Sequence, residues 1–124
     1  MEFPVAMVTR KVGAAIAAGN TVVCKPAPET PLCAIALAKV FERAGGPPGV
    51  FNVVTAGPES TPAVGQEMRH NKLVKHLSFT GSTTVGKYLN TECAKTVKTS
   101  LELGGNASFI IFDDANIENA VKGE

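Results

Sequence analysis

The sequence predicts an α/β fold in which helices cover both faces of a mostly parallel sheet. Two observations favour this class over the others. Short apolar runs rich in β-branched residues alternate along the chain with longer stretches of helical periodicity. With 124 residues, of which 44% are hydrophobic and 19% charged, the chain can bury a core of its own. We therefore predict a single domain over residues 1–124.

The chain opens with a predicted helix followed by a short predicted strand. The helix covers residues 4–18, where alanine is frequent, Pro4 fits the first turn and Gly19 ends the pattern. The strand covers residues 21–24, a β-branched run that Pro26 interrupts. Apolar strands of this kind are buried on both faces when the sheet is parallel.

The second predicted helix starts with Thr30 as its cap and Pro31 as its first residue, and it ends before Gly45. Its apolar residues recur at helical spacing on one face, namely Cys33, Leu37, Val40, Phe41 and Ala44. Together with the strand before it, this helix forms a strand–loop–helix unit.

The same alternation continues to the end of the chain. Further strands are predicted over residues 50–55, 75–80, 99–103 and 108–112. Further helices are predicted over residues 62–69 and 82–93, and another begins near Ile117. Repeated units of this type predict a Rossmann-like arrangement, with ligands at the carboxyl ends of the strands.

Charge and cysteine usage exclude several kinds of partner. The formal net charge is +1 and no predicted face collects Lys and Arg, so neither nucleic acid nor an anionic membrane is expected to bind. Arg10 and Lys11 interrupt the apolar stretch near the start, which argues against a signal peptide. The three cysteines lack metal or disulfide spacing, which predicts no metal site and a reducing, intracellular compartment. The sequence leaves open whether that compartment is mitochondrial or cytoplasmic.

A glycine loop, SFTGSTTVGK at residues 78–87, follows one predicted strand and opens a helix. A helix starting there offers free N–H groups and the positive end of its dipole to a phosphate. A triphosphate loop would need Ser or Thr at position 88, which is Tyr, and a Gly-x-Gly-x-x-Gly loop would need glycine at Thr83. Gly81 could equally make only a turn, with Ser82 as a cap. The loop alone leaves these alternatives open.

Two further strand ends carry side chains suited to a site. Lys25 follows the strand over 21–24, at the sheet edge where the glycine loop is also expected, and could donate to a ribose or a phosphate, unless it is simply solvated. Glu102 ends an apolar strand beside two glycines, where desolvation would raise its pKa and suit it to act as a general base. The alternative for Glu102 is a strand-end glutamate paired with a lysine.

In chain order, the motifs FP, VCKPAPETP, FTGSTTVGK and ELGGNASFIIFDDANIENAV resemble the aldehyde dehydrogenase superfamily, most closely its succinate semialdehyde dehydrogenase branch. The resemblance covers essentially the whole chain. It implies a partial aldehyde dehydrogenase fold that belongs to the NAD(P)-binding domain. It also implies oxidation of a small aldehyde with NAD or NADP, in a longer protein that forms a homo-oligomer.

The resemblance also implies roles for individual residues. Lys25 matches the lysine that binds the adenosine ribose, Glu102 matches the general base, and the Leu103 carbonyl matches the group that orients the nicotinamide. The residues that match the pyrophosphate loop are Gly81, Ser82, Thr83, Thr84, Val85 and Gly86.

One position bears on the choice between the two cofactors. Pro28 stands where many NAD-preferring members carry a glutamate that would repel a 2′-phosphate. We therefore expect that NADP is at least tolerated, although the neighbouring Glu29 could partly restore the rejection.

The sequence departs from the family pattern at two places. The family nucleophile is a cysteine in an Asn-x-Gly-Gln-x-Cys-like segment, and none follows Glu102 here. The family asparagine before Phe-Pro is replaced by Glu2. We therefore expect an internal piece of a longer enzyme that is inactive alone. The alternatives are a P-loop phosphotransferase using Asp113 to hold magnesium, and a non-catalytic truncated or decoy subunit.

Overall fold

The computed structural model describes residues 3–93, 97–106 and 108–123, so the Glu2 position lies outside the described residues. In these ranges the elements are α1 (Pro4–Ala17), β1 (Val22–Cys24), α2 (Pro31–Arg43), β2 (Phe51–Val53), α3 (Thr61–His70), β3 (His76–Thr80), α4 (Thr83–Cys93), β4 (Lys98–Glu102) and α5 (Ile117–Lys122). Helices and strands alternate as predicted. The α/β class is therefore confirmed.

The strands pair in parallel, as the alternation with helices predicts. β1 pairs with β2, with Val22 opposite Phe51, and β3 pairs with β4, with Thr80 opposite Glu102. The described strands form two separate two-stranded sheets and not one continuous sheet. In each pair both strands point the same way, so their carboxyl ends meet at one edge.

Helix α1 connects the two sheets. It packs against β1 and α2, and the Nζ atom of its Lys11 lies 3.0 Å from the Ser78 hydroxyl on β3. Pro4 begins this helix, where its missing N–H costs no hydrogen bond. Small residues on α1 permit close packing against β1 and α2. The two adjacent cations in the middle of the helix reach the β3–β4 sheet.

The predicted strand over residues 108–112 is wrong. No ladder forms in this part of the described chain, and Phe109, Ile110, Ile111 and Phe112 are 44% to 74% exposed. A strand needs a neighbouring strand to take up its N–H and C=O groups, and these residues have none in the described chain. The apolar pattern indicates a capacity to form a strand, but the pairing partner decides the outcome.

A buried arginine joins α3 to α4. The Arg69 side chain is only 5% exposed and stacks on the Tyr88 ring, 4.7 Å from its centroid. Its Nε donates to the Gly65 carbonyl and its NH2 to the Tyr88 hydroxyl, while its NH1 lies 3.5 Å from Glu92 Oε2. A buried charge requires such partners, so the cluster fixes how α4, which starts at the glycine loop, sits against α3.

Candidate functional site

The glycine loop lies at the carboxyl edge of the β3–β4 sheet. The Gly81 N–H donates to the Glu102 carbonyl at 3.1 Å, which extends the ladder by one residue beyond the strands. Ser82 then caps α4, since its hydroxyl accepts from the Val85 N–H at 3.4 Å and its carbonyl from the Gly86 N–H at 3.0 Å. The first N–H groups of an α-helix have no partner within the helix, and α4 begins directly after this sheet edge.

The segment that follows β4 packs on the first turns of α4. Gly86 is buried, and a Cβ there would overlap the Leu103 side chain and lie 2.6 Å from its Cδ1. A Cβ on Gly104 would lie 3.2 Å from the Thr83 hydroxyl. Glycine at position 86 therefore permits a close contact between α4 and Leu103.

Glu102, at the end of β4, has a partner on each carboxylate oxygen. Lys11 Nζ lies 3.5 Å from Oε1, while Arg10 NH1 lies 3.5 Å from Oε2. The Thr80 hydroxyl also donates to Oε2, at 3.3 Å. The Glu102 side chain remains 45% exposed, so the expected desolvation is wrong. The carboxylate is both paired with a lysine and open to an incoming group.

Sequence reasoning missed Arg10 and Lys11 as neighbours of Glu102. It used them only to argue against a signal peptide, although two cations within an otherwise apolar helix also suggest an acidic partner. Arg10 and Glu102 are 92 positions apart, and periodicity within a segment cannot identify contacts across that distance.

A second candidate region lies at the carboxyl edge of the β1–β2 sheet. A cleft of about 360 Å³ is lined by residues 26–28 and 55–58 together with Pro31 and Ser60. Pro28 therefore lines this open cleft. Lys25 directly precedes the first cleft residue in the sequence. It is half-buried, and its Nζ donates to the Pro26 carbonyl at 2.7 Å. Among the described residues, no acidic side chain lines this cleft.

The predicted site residues thus fall into two groups, and the expectation that Lys25 and the glycine loop share one sheet edge is wrong, because the described strands form two separate sheets. The Gly81–Gly86 loop, Glu102 and Leu103 come together at the β3–β4 edge. Lys25 and Pro28 lie at the β1–β2 edge, and no hydrogen bond among the described residues joins Lys25 to Ser82 or Glu102. Helix α1 is the element that contacts both sheets.

Neither Cys24 nor Cys93 offers an activated thiol. Burial raises the pKa of the Cys93 thiol at the end of α4, with Arg69 partly opposing the shift. Burial also raises the pKa of Cys24 on β1, and Lys25 partly opposes that shift. Raised pKa values keep both thiols protonated at neutral pH, and the nucleophile is the thiolate. These two side chains behave as packing groups.

Within the described ranges, no group of three or more His, Cys, Asp or Glu side chains is placed to hold a metal ion. In the same ranges, no helix has both the length and the apolar character needed to cross a membrane.

The sequence profile of the aldehyde dehydrogenase family matches residues 2–124. The chain belongs to the aldehyde dehydrogenase family. The family members are NAD(P)-dependent oxidoreductases. The resemblance seen in the motifs is thus confirmed, and with it the assignment of the fold as part of this family's fold.

Curated relatives of this aldehyde dehydrogenase chain are much longer than it is. It is 59% identical over 123 residues to the succinate-semialdehyde dehydrogenase [NADP(+)] GabD of Escherichia coli, covering 98% of this chain and 25% of that protein. It is 57% identical to the glutarate-semialdehyde dehydrogenase of Pseudomonas aeruginosa, with the same coverage. The mitochondrial succinate-semialdehyde dehydrogenase of Homo sapiens is 53% identical, with 23% of its length covered. The chain spans about a quarter of these relatives.

Solved structures agree with the sequence matches. A crystal structure described as an E. coli NADP-dependent enzyme superposes with a TM-score of 0.80 at 58% identity, over 98% of this chain and 25% of that one. An indole-3-acetaldehyde dehydrogenase in complex with NAD⁺ superposes with a TM-score of 0.74 at 35% identity, over 83% of this chain and 21% of that one. The aldehyde dehydrogenase chain therefore folds like the corresponding quarter of larger enzymes.

Proposed function

We propose that residues 1–124 form the dinucleotide-binding part of an NAD(P)-dependent aldehyde dehydrogenase that oxidises a small acidic aldehyde to a carboxylic acid. One observation carries the proposal. The Gly81 N–H donates to the Glu102 carbonyl, so Gly81 and Glu102 lie at the same sheet edge, which supports a base and a phosphate loop that act together. Ligands of open parallel sheets bind at this edge.

The donors at the β3–β4 edge fit a pyrophosphate. The hydroxyls of Ser82, Thr83 and Thr84 lie at the start of α4, an 11-residue helix whose dipole is positive at that end. Thr84 and Val85 are exposed, and Gly86 lets the helix approach Leu103. The Leu103 carbonyl would orient the nicotinamide, which when bound supplies the hydride acceptor.

The β1–β2 cleft fits the adenosine end of the same cofactor. Its proline and alanine side chains give apolar walls, and Lys25 stands at its border as a donor for ribose hydroxyls. A cavity of about 360 Å³ falls within the range of small-molecule sites.

Glu102 would act as the general base that takes a proton from the attacking thiol or water. Its exposure allows such an approach, and Thr80 and Lys11 each contact one of its two oxygens. General bases contribute about 10²- to 10⁴-fold to rate. The thiol itself would come from another part of a longer protein.

The substrate proposal rests on Arg10. The two semialdehydes in the names of the relatives, succinate and glutarate, each carry an acid group away from the aldehyde. The Arg10 side chain is 52% exposed and lies 3.5 Å from Glu102, so a cation stands beside the proposed base. We infer that it attracts the acid end of succinate semialdehyde or a similar aldehyde.

The phosphotransferase alternative has no support. Tyr88 occupies the position where a P-loop needs a magnesium-binding hydroxyl, and its ring and hydroxyl are engaged by Arg69. Nor does any observation favour a decoy subunit. The homo-oligomer of the longer protein stays a prediction.

The function is testable by transplantation. The matching quarter of the E. coli enzyme would be replaced by residues 3–124, which leaves the rest of that enzyme to supply the thiol and its own residue in place of Glu2. We expect this chimera to oxidise succinate semialdehyde with NADP, because the fold is shared at a TM-score of 0.80. A folded chimera that binds NADP but turns over no aldehyde would contradict the proposal.

Cofactor choice is a separate prediction. NADP should bind the chimera at least as tightly as NAD, because Pro28 and the cleft around it place no carboxylate near a 2′-phosphate. Pro28→Glu should weaken NADP binding by about tenfold or more through like-charge repulsion and leave NAD binding intact. Titration of both cofactors makes the comparison, and Glu29→Gln tests separately whether the neighbouring carboxylate restores any rejection of NADP. A clear preference of the parent chimera for NAD would overturn this prediction.

A further inference from the structure

One face of the β3–β4 sheet is polar along its whole length. Side chains alternate between the two faces of a strand, and directly paired residues of neighbouring strands share a face. The residues on this face are His76, Ser78 and Thr80 of β3, opposite Lys98, Ser100 and Glu102 of β4. Helix α1 contacts the face through Arg10 and Lys11.

Lys11 makes two contacts on this face, and the shorter one is with Ser78. Its Nζ lies 3.0 Å from the Ser78 hydroxyl and 3.5 Å from Glu102 Oε1. The Lys11 side chain is only 21% exposed, while that of Glu102 is 45% exposed. The hydroxyl is thus at full hydrogen-bond distance and the carboxylate is not.

An ion pair at 3.5 Å on a half-exposed carboxylate holds a lysine poorly. Solvent weakens the attraction, and the flexible four-carbon stem of lysine favours several rotamers. A neutral hydroxyl on a paired strand has few alternative positions, because χ1 is its only torsion that moves the oxygen. It can accept one ammonium proton and leave the others for the carboxylate.

We propose that Ser78 is a positioning residue, whose hydroxyl fixes the Lys11 ammonium against the Glu102 carboxylate. The meaning of this contact for catalysis rests on the proposed role of Glu102 as the base. The contact itself is a property of the 124-residue chain and is measured without cofactor or substrate.

Ser100 provides a matched control. It lies directly opposite Ser78 in the register of β3 and β4, on the same face of the sheet. Its hydroxyl contacts His76 Nε2 at 3.0 Å and not Lys11. Ser100→Ala therefore removes the same group from the same face without changing the proposed contact.

The test follows the ammonium protons of Lys11 by NMR in the ¹⁵N-lysine-labelled chain, with the signal assigned by its loss in Lys11→Met. We expect Ser78→Ala to speed exchange of these protons with water by about fivefold, since a hydrogen bond of about 1 kcal/mol is lost. Ser78→Thr, which keeps a hydroxyl, should restore slow exchange. Ser100→Ala should leave the rate unchanged.

Two outcomes of this experiment would overturn the proposal. One is an unchanged Lys11 exchange rate in Ser78→Ala, and the other is an equal acceleration in Ser100→Ala, which would indicate general loosening. If Ser78→Ala does not fold, acylation of the unmodified chain decides, with mass spectrometry comparing Lys11 and the exposed Lys87. Lys11 should react several-fold more slowly, and equal rates would refute the contact. Failure of the proposed function would appear only in the chimera.

Discussion

Glu102→Gln should lower kcat of the chimera by about 10²- to 10⁴-fold, the usual contribution of a general base. Glutamine has nearly the same shape as glutamate and still accepts a hydrogen bond from Thr80, whose hydroxyl lies 3.3 Å away. It cannot accept a proton at neutral pH. The substitution therefore removes the proposed chemistry and leaves the sheet edge in place. Steady-state kinetics with succinate semialdehyde measure the effect.

Two controls separate this loss from a general disturbance. NADP affinity should stay within about twofold, because Gly81, where the proposed phosphate loop begins, contacts the backbone carbonyl of Glu102 and not its carboxylate. Glu59→Gln, at an exposed glutamate just before α3, should leave kcat unchanged. The isolated 124-residue chain should give no turnover with or without the substitution. Near-normal kcat in the folded Glu102→Gln chimera would remove Glu102 from the mechanism.

Local pattern sufficed for most of the fold and for part of the site. Pro31 and Gly45 predicted the limits of α2 correctly because capping and turn formation depend on neighbouring residues. Ser82 was expected either to cap a helix or to face a phosphate. The structure shows the cap, and the proposed phosphate contact would use N–H groups of the same turn. The two roles are compatible because an N-cap leaves other donors open.

Interactions between distant segments could not be predicted in this way. The Lys11–Ser78 contact joins residues 67 positions apart, and the sequence around each residue does not indicate that the two side chains meet. The failed strand over 108–112 has the same origin, because strand formation requires a partner that the apolar pattern does not specify. The division into two sheets is likewise a matter of which strand edges meet. What the sequence alone leaves open is pairing across the fold.

Gly86→Val should lower the free energy of unfolding by about 1–3 kcal/mol, the usual cost of overpacking a closely packed site. Gly86 is buried in α4, and any Cβ there would overlap the Leu103 side chain. Helix propensity alone predicts the opposite sign, because valine is a better helix former than glycine. Urea unfolding of the 124-residue chain measures which effect is larger.

The same substitution at Gly13 is the control for the overlap between residue 86 and the Leu103 side chain. Gly13 lies within α1, and a Cβ there would meet no atom within 4 Å, so Gly13→Val should change stability by less than about 0.5 kcal/mol. Leu103→Ala should also relieve much of the Gly86→Val penalty, since the smaller side chain leaves room for the valine. The double variant would then be more stable than the sum of the two single effects predicts. Strict additivity, or an equal loss at Gly13, would show that contact with Leu103 is not what requires glycine at position 86.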